Sequence, residues 1–175
     1  MATTQRHPLK AAANVAEMIT DHISGGGHVV GIAGSLRRRA KTVGDIDLVV
    51  LANHLHGVSL PTWLRVVRGG KDYRRYAAPL ANGTEIGVDI WRCPSEEAWG
   101  GFMLFATGTA EYNIHMRRHA WARGLKLNQH GLWRGNQHIG LREEEICEAL
   151  GLPYLTPGER QQWKPNKPTK RKATV

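Results

Sequence analysis

Two apolar runs, His28 to Ala33 and Ile46 to Leu51, bracket the segment that most restricts how this chain can fold. Between and beside them lie Gly34-Ser35, the arginine run Arg37-Arg38-Arg39, and Gly44-Asp45-Ile46-Asp47. Both runs have the length and β-branched content of strands. Side chains alternate along a strand, so residues two apart share a face and Asp45 and Asp47 project side by side. Two carboxylates that close repel each other unless a cation lies between them or one is protonated. Hard oxygen donors at a small site suit Mg²⁺, with Mn²⁺ as the second choice. Gly34-Ser35, directly after a strand, offers backbone N–H groups and a hydroxyl to a phosphate. Arg37, Arg38 and Arg39 offer charge-assisted donors to its oxygens. An Asp-x-Asp alone is usually a solvated strand end, and Gly-Ser alone is usually a turn. Their order and spacing together select the functional reading, a metal–triphosphate site.

At 175 residues the chain can bury one core or two small subdomains that share an interface. A formal charge of +9 calls for a polyanionic partner, nucleic acid first. Cys93 and Cys147 show neither metal-ligand spacing nor a disulfide framework, which fits a reducing compartment. The nine histidines form no HExxH or paired Cys/His pattern, so zinc is not expected. No apolar run has membrane-span length, and the N-terminus lacks a signal-peptide core. The expectation is a soluble, intracellular protein without a membrane partner, cytoplasmic or viral in origin.

Pro8 is placed like the first helical residue, and Val15, Met18, Ile19 and Ile23 define a helix over Leu9–Ile23, stopped by Gly25-Gly26-Gly27. Trp63 to Val67 reads as a modest strand or short helix. Gly69 to Tyr76 reads as a basic loop with aromatics, either backbone-binding or merely solvated. Ala77 to Leu80, Asn82-Gly83 and Thr84 to Trp91 read as a hairpin. Its second arm holds Asp89 among apolar neighbours. A buried Asp must be paired, protonated or metal-bound; spacing alone leaves that choice open, and a metal centre upstream favours a third carboxylate. Ser95 is placed as an N-cap with Glu96 and Glu97 behind it. The helix that Ser95 opens continues through Gly100–Ala106 and, after the break at Thr107-Gly108-Thr109, a second follows at Ala110–Arg123. On the latter, Asn113 and Arg117 stand one turn apart. They form either a solvated basic face or a minor-groove reader, since both can donate to acceptors common to every base pair. From Lys164 the chain turns Pro- and Lys-rich, a disordered basic tail by composition.

Ala33-Gly34-Ser35-Leu36-Arg37-Arg38 followed by Gly44-Asp45-Ile46-Asp47-Leu48 resembles the nucleotidyltransferase signature of the DNA polymerase X family. Phe102 to Arg117 is similar to that family's palm-to-thumb segment. Gly124 to Leu132 resembles its first thumb strand, and Arg142 to Tyr154 its last helix. The resemblance implies an α/β (α+β) fold: a palm with a mixed twisted sheet over residues 1–94, a small, mostly helical thumb with a short antiparallel sheet over 95–163, and a tail over 164–175. It implies catalytic, metal-binding roles for Asp45, Asp47 and Asp89, with two Mg²⁺ ions. It places Gly34, Ser35, Arg38, Gly44, Phe105, Thr107, Gly108 and Asn113 at the nucleotide, and Arg117 and Lys126 at DNA.

Two positions depart from that pattern. The arginine common two residues before the third Asp is Gly87 here, which puts catalytic efficiency in question. The aromatic pair before Thr-Gly is Phe105-Ala106, which predicts weaker exclusion of ribonucleotides. The resemblance begins at the first helix, the minimal palm-plus-thumb form of small viral members, and implies no lyase activity. The expected activity is template-directed addition of nucleotides to a DNA 3′-OH on a primer-template or gapped duplex, by a monomer, in short-gap repair or end joining. The alternatives are a template-independent or non-DNA nucleotidyltransferase, and a non-catalytic DNA-end-binding protein.

Overall fold

The computed structural model describes residues 5–165. A two-residue strand β1 (His7–Pro8) leads into α1 (Leu9–Gly25), then β2 (Val29–Ile32), a single helical turn α2 (Gly34–Arg37), β3 (Thr42–Val43) and β4 (Asp45–Leu51). Strands β5 (Arg65–Arg68), β6 (Tyr73–Pro79) and β7 (Glu85–Cys93) complete a five-stranded sheet in the order β2-β4-β7-β6-β5. The sheet is mixed: β4 runs parallel to β7, and the other pairs are antiparallel.

Helices α3 (Trp99–Thr107) and α4 (Ala110–Ala122) follow, then a three-stranded antiparallel sheet of β8 (Lys126–Asn128), β9 (Gly131–Arg134) and β10 (Gln137–Ile139). Helices α5 (Glu143–Ala149) and α6 (Pro157–Gln162) close the described chain. Among the described residues no helix is long and apolar enough to cross a membrane.

The alternation in β4 sorts its two faces. Ile46, Leu48 and Val50 pack with Val88 and Ile90 of β7 against Ile19 and Ile23 of α1. Burying each such side chain stabilises the fold by about 1.5–3 kcal/mol. Helix α1 meets the sheet through Ala12, Val15, Ala16, Ile19 and Ile23, an apolar stripe at helical spacing. On the opposite face Val49 packs with Phe102 and Met103 of α3. Asp45 and Asp47 lie on this second face, toward the start of the strand. One face of β4 therefore changes from carboxylates to apolar packing along its length. Leu104 of α3 turns instead to a third cluster with Tyr112, Met116, Leu132 and Ile146, so α3 is shared between the large sheet and the C-terminal half.

Four readings of the sequence change. The basic segment before Tyr76 is not loop throughout: β6 begins at Tyr73, because Tyr76 and Ala78 alternate into the core behind the sheet. Pro8 belongs to β1, immediately before the first helical residue rather than at it. Ser95 precedes a 3₁₀ turn, Glu96–Ala98, and its side chain makes no cap hydrogen bond. Arg142 to Tyr154 is not the last helix: α6 follows, opened by Thr156, which accepts from the Glu159 amide while Glu159 accepts from the Thr156 backbone N–H. The tail expected from Lys164 lies, beyond residue 165, outside the described residues.

Candidate active site

The parallel pairing of β4 with β7 sets Asp47 opposite Asp89 and Asp45 opposite Gly87. On the other side of β7, β6 sets Arg75 opposite Asp89 and Ala77 opposite Gly87. Asp47, Asp89 and Arg75 thus form one row across three strands, with Asp45, Gly87 and Ala77 in the row beside it. The three carboxylates that the sequence singles out are brought together on one face of the sheet.

Asp47 has its carboxyl pushed up to about 7, first by burial and then by the neighbouring charges of Asp45 and Asp89, against the pull of Arg38 and Arg75. Burial likewise raises Asp89, while the Tyr73 hydroxyl and Arg75 oppose the rise. Arg75 Nη1 donates to both oxygens of Asp89, at 3.2 and 2.9 Å, and Tyr73 Oη donates to Oδ1 at 2.7 Å. Arg75 Nη2 also stands 3.9 Å from Asp45 Oδ2. As the side chains are placed, no three His, Cys, Asp or Glu groups among the described residues enclose a common point suited to a cation. The donor set nevertheless fits a hard divalent ion: oxygen ligands only, mutually repelling, and partly shielded from water.

Gly34 presses against this group. Its φ of +60° is open to glycine, and a Cβ there would fall on the Asp47 carboxylate. Ser35 follows on α2. A cleft of about 560 Å³ opens between this turn and α3–α4, lined by Gly34, Ser35, Arg38, Gly44, Asp45, Asp47, Phe105, Ala106, Gly108 and Asn113. Asp89 does not line it but stands beside Asp47 on the neighbouring strand β7. Asn113 donates to the Phe105 carbonyl at 2.8 Å, which fixes its amide at the cleft wall. The Gly108–Thr109 peptide is cis.

Besides Asp89, three expected residues lie outside the cleft. Thr107 is fully buried, its hydroxyl accepting from Arg37 Nη1 at 2.7 Å and its carbonyl from Arg38. Arg117 lies over the Phe105 ring, 6.0 Å from its centre, beside Leu127 and Asn128. Lys126 borders a separate surface hollow with His130 and Trp133.

The arginine run divides its labour. Arg38 faces the cleft, Arg39 is exposed, and Arg37 turns away to Glu143 at 2.6 Å. Glu143 also accepts from the fully buried Arg160 at 2.7 Å, so one carboxylate joins α2, α5 and α6. Residues the sequence reading missed include Arg6, which lines the cleft because β1 pairs with β3 and its Nε donates to Thr42 Oγ1 at 2.8 Å. A strand of two residues leaves no periodic signal. The sequence reading puts Tyr73 and Arg75 in a basic loop rather than beside Asp89, although the interleaving of Tyr76 and Ala78 with Tyr73, Arg75 and Ala77 carries the alternation of a half-buried strand.

This is the construction of a nucleotidyltransferase-type palm followed by a small thumb. Residues 102–161 match the sequence profile of the DNA polymerase beta thumb. Over 167 residues the chain is 29% identical to the DNA polymerase/3′-5′ exonuclease PolX of Bacillus subtilis, covering 90% of this chain and 29% of that one. It is 26% identical over 137 residues to the repair DNA polymerase X of African swine fever virus, covering 73% of this chain and 78% of the viral one. It is 40% identical over 80 residues to the DNA nucleotidylexotransferase of Eulemur macaco, covering 43% of this chain and 15% of that one. Over most of its length the chain is similar to family X DNA polymerases. It spans less than a third of the length of the Bacillus and Eulemur proteins.

Proposed function

We propose that this protein is a template-directed DNA polymerase that adds nucleotides to a DNA 3′-OH, filling short gaps in repair or end joining. The observation that carries the reading is the convergence of Asp45, Asp47 and Asp89 on one face of the sheet beside an arginine-lined cleft. In this reading residues 1–94 form the palm, 95–163 the thumb and 164–175 a basic tail that adds sequence-independent affinity for phosphates. The protein acts as a monomer on a primer-template or gapped duplex.

Asp45, Asp47 and Asp89 would hold two Mg²⁺ ions, with Mn²⁺ able to replace them. When bound, these ions supply the charge that acidifies the attacking hydroxyl and stabilises the leaving oxygen. Asp89 lies nearest the primer terminus and takes the 3′-OH proton, directly or through water. Ser35, Arg38, Arg6 and the backbone at Gly34 and Gly44 bind the β- and γ-phosphates. Phe105, Thr107 and Gly108 shape the wall along the sugar, Thr107 by anchoring Arg37 and Arg38. Asn113 meets the base edge in the minor groove, and Arg117 and Lys126 meet the DNA.

The test is single-nucleotide extension on gapped and recessed duplexes, each nucleotide supplied separately, with and without Mg²⁺. Addition of only the complementary nucleotide, dependent on the metal, is the expected result. Addition indifferent to template would favour a terminal or small-acceptor transferase. Metal-independent DNA binding with no addition would favour an end-binding protein.

A further inference from the structure

Asp89 is held from the neighbouring strand rather than from its own. Both of its side-chain hydrogen-bond partners, Tyr73 and Arg75, come from β6, two residues apart and therefore on one face. Together they occupy both acceptor sites of Oδ1 and one of Oδ2, which leaves one Oδ2 site open. Arg75 reaches Asp89 by lying across Gly87. A Cβ at residue 87 would stand 2.6 Å from Arg75 Nη2, too close to pack, and a tight 3.2 Å from the guanidinium carbon, so the guanidinium would have to shift. The absence of a side chain at Gly87 is thus what admits the guanidinium between Asp89 and Asp45.

We propose that Arg75, admitted by Gly87, is the positioning residue that sets the orientation of the Asp89 carboxylate. The assignment rests on the proposed metal-dependent transfer, since orientation matters only if Asp89 has a ligand or proton to meet. A carboxylate with two free torsions can point either oxygen toward the cleft. Shared donation from one guanidinium nitrogen, with a phenol on Oδ1, selects one arrangement. Arg75 also places positive charge beside Asp45, which reduces the repulsion between the two acids without blocking the Asp47 side of the row.

The experiment compares Arg75→Ala, Gly87→Ala and the double variant Arg75→Ala/Gly87→Arg with the parent protein. Its readouts are kcat and KM for one templated nucleotide, Mn²⁺ affinity by paramagnetic resonance without DNA or nucleotide, and the melting temperature. Arg75→Ala should lower kcat roughly 10–100-fold, the usual loss on removing an outer partner of a metal-binding group, with KM for the nucleotide unchanged. Gly87→Ala keeps every charge but displaces the guanidinium, so it should lower kcat and weaken Mn²⁺ binding together. The double variant returns a guanidinium from β7 itself, two residues from Asp89 and on the same face, and should recover kcat and Mn²⁺ affinity.

A double variant no faster than Arg75→Ala, or a Gly87→Ala protein with parental kcat and Mn²⁺ affinity, would overturn the assignment. Should Arg75→Ala fail to fold, Gly87→Ala decides alone. Failure of the parent protein to insert nucleotides would instead remove the proposed function, and the Mn²⁺ comparison would still decide the role of Arg75.

Discussion

Asp47 and Asp89 sit directly opposite each other on two parallel strands, β4 and β7. Parallel pairing is what allows it. The strands enter the site in the same direction, so acids from segments about forty residues apart reach the same end of the sheet. Exchanging Asp89 for Asn keeps the shape and the Tyr73 contact but removes charge and proton acceptor together. Asp89→Asn should reduce Mg²⁺-dependent insertion by about 10²–10³-fold or more, the scale of losing one preorganised charge-stabilising group. Single-turnover kinetics on a one-nucleotide gap measures this, and near-parental turnover would refute the proposed mechanism.

The raised carboxyl of Asp47 predicts a pH dependence whose sign is fixed. Its proton is held to about pH 7 in the folded, metal-free protein, against about 4 in an unfolded chain. The folded state therefore binds more protons across that window, and the resulting stabilisation, full below about pH 4, is lost as pH rises through about 7. Denaturant titrations without metal should show stability declining over this range, with Asp47→Asn reducing the decline. Because a cation must displace the proton, apparent Mg²⁺ affinity should rise with pH and level off above about 7. Calorimetry in buffers of different ionisation enthalpy should detect protons released on Mg²⁺ binding at pH 6 to 7.

Much of this site is legible in the residues. Asp45 and Asp47 share a face by strand alternation alone, and Gly34-Ser35 after a β-branched run marks the turn beside them. The meeting of Asp89 with that pair is legible only through the family resemblance, because strand order and direction depend on tertiary pairing that periodicity does not encode. The support for Asp89 was hidden for the same reason: Arg75 matters through its cross-strand neighbour. Arg37 shows the limit from the other side. It stands next to Arg38 in a run that reads as uniformly phosphate-binding, yet one turn of α2 directs it to Glu143. The capping box at Thr156 and Glu159, with Pro157 at the first helical position, is legible as Thr-Pro-Gly-Glu.

Gly34 offers a direct test of the turn. Alanine there must adopt a positive φ, costing about 1–2 kcal/mol, and its methyl group would displace the Asp47 carboxylate. Gly34→Ala should lower both the melting temperature and nucleotide insertion. Gly57→Ala, where the added methyl meets nothing, should change neither.

Ala106 lines the cleft beside Phe105, at a position where the resemblance places an aromatic side chain. A methyl group leaves room that a ring would fill, including room for a 2′-hydroxyl. Ribonucleotides and deoxynucleotides should be inserted with comparable kcat/KM, and Ala106→Phe should restore deoxynucleotide preference. A strong deoxynucleotide preference in the parent protein would refute this.

The Glu143–Arg160 pair carries the heaviest structural consequence outside the cleft. Arg160 is fully buried, donates to Glu143 and to the Leu155 carbonyl, and lies over the rings of Tyr112 and Tyr154. Removing Glu143 leaves that guanidinium charged and without its counter-ion, which typically costs about 3–5 kcal/mol. It also frees Arg37, whose anchor at Thr107 adjoins the carbonyl that holds Arg38 in the cleft. Arg160→Met removes the charge together with its demand for a partner, and leaves Glu143 still paired with Arg37. Glu143→Ala should therefore destabilise the fold far more than Arg160→Met in denaturant unfolding, and should raise KM for the nucleotide through Arg38. Equal losses from the two variants would mean that the buried charge is not the dominant cost.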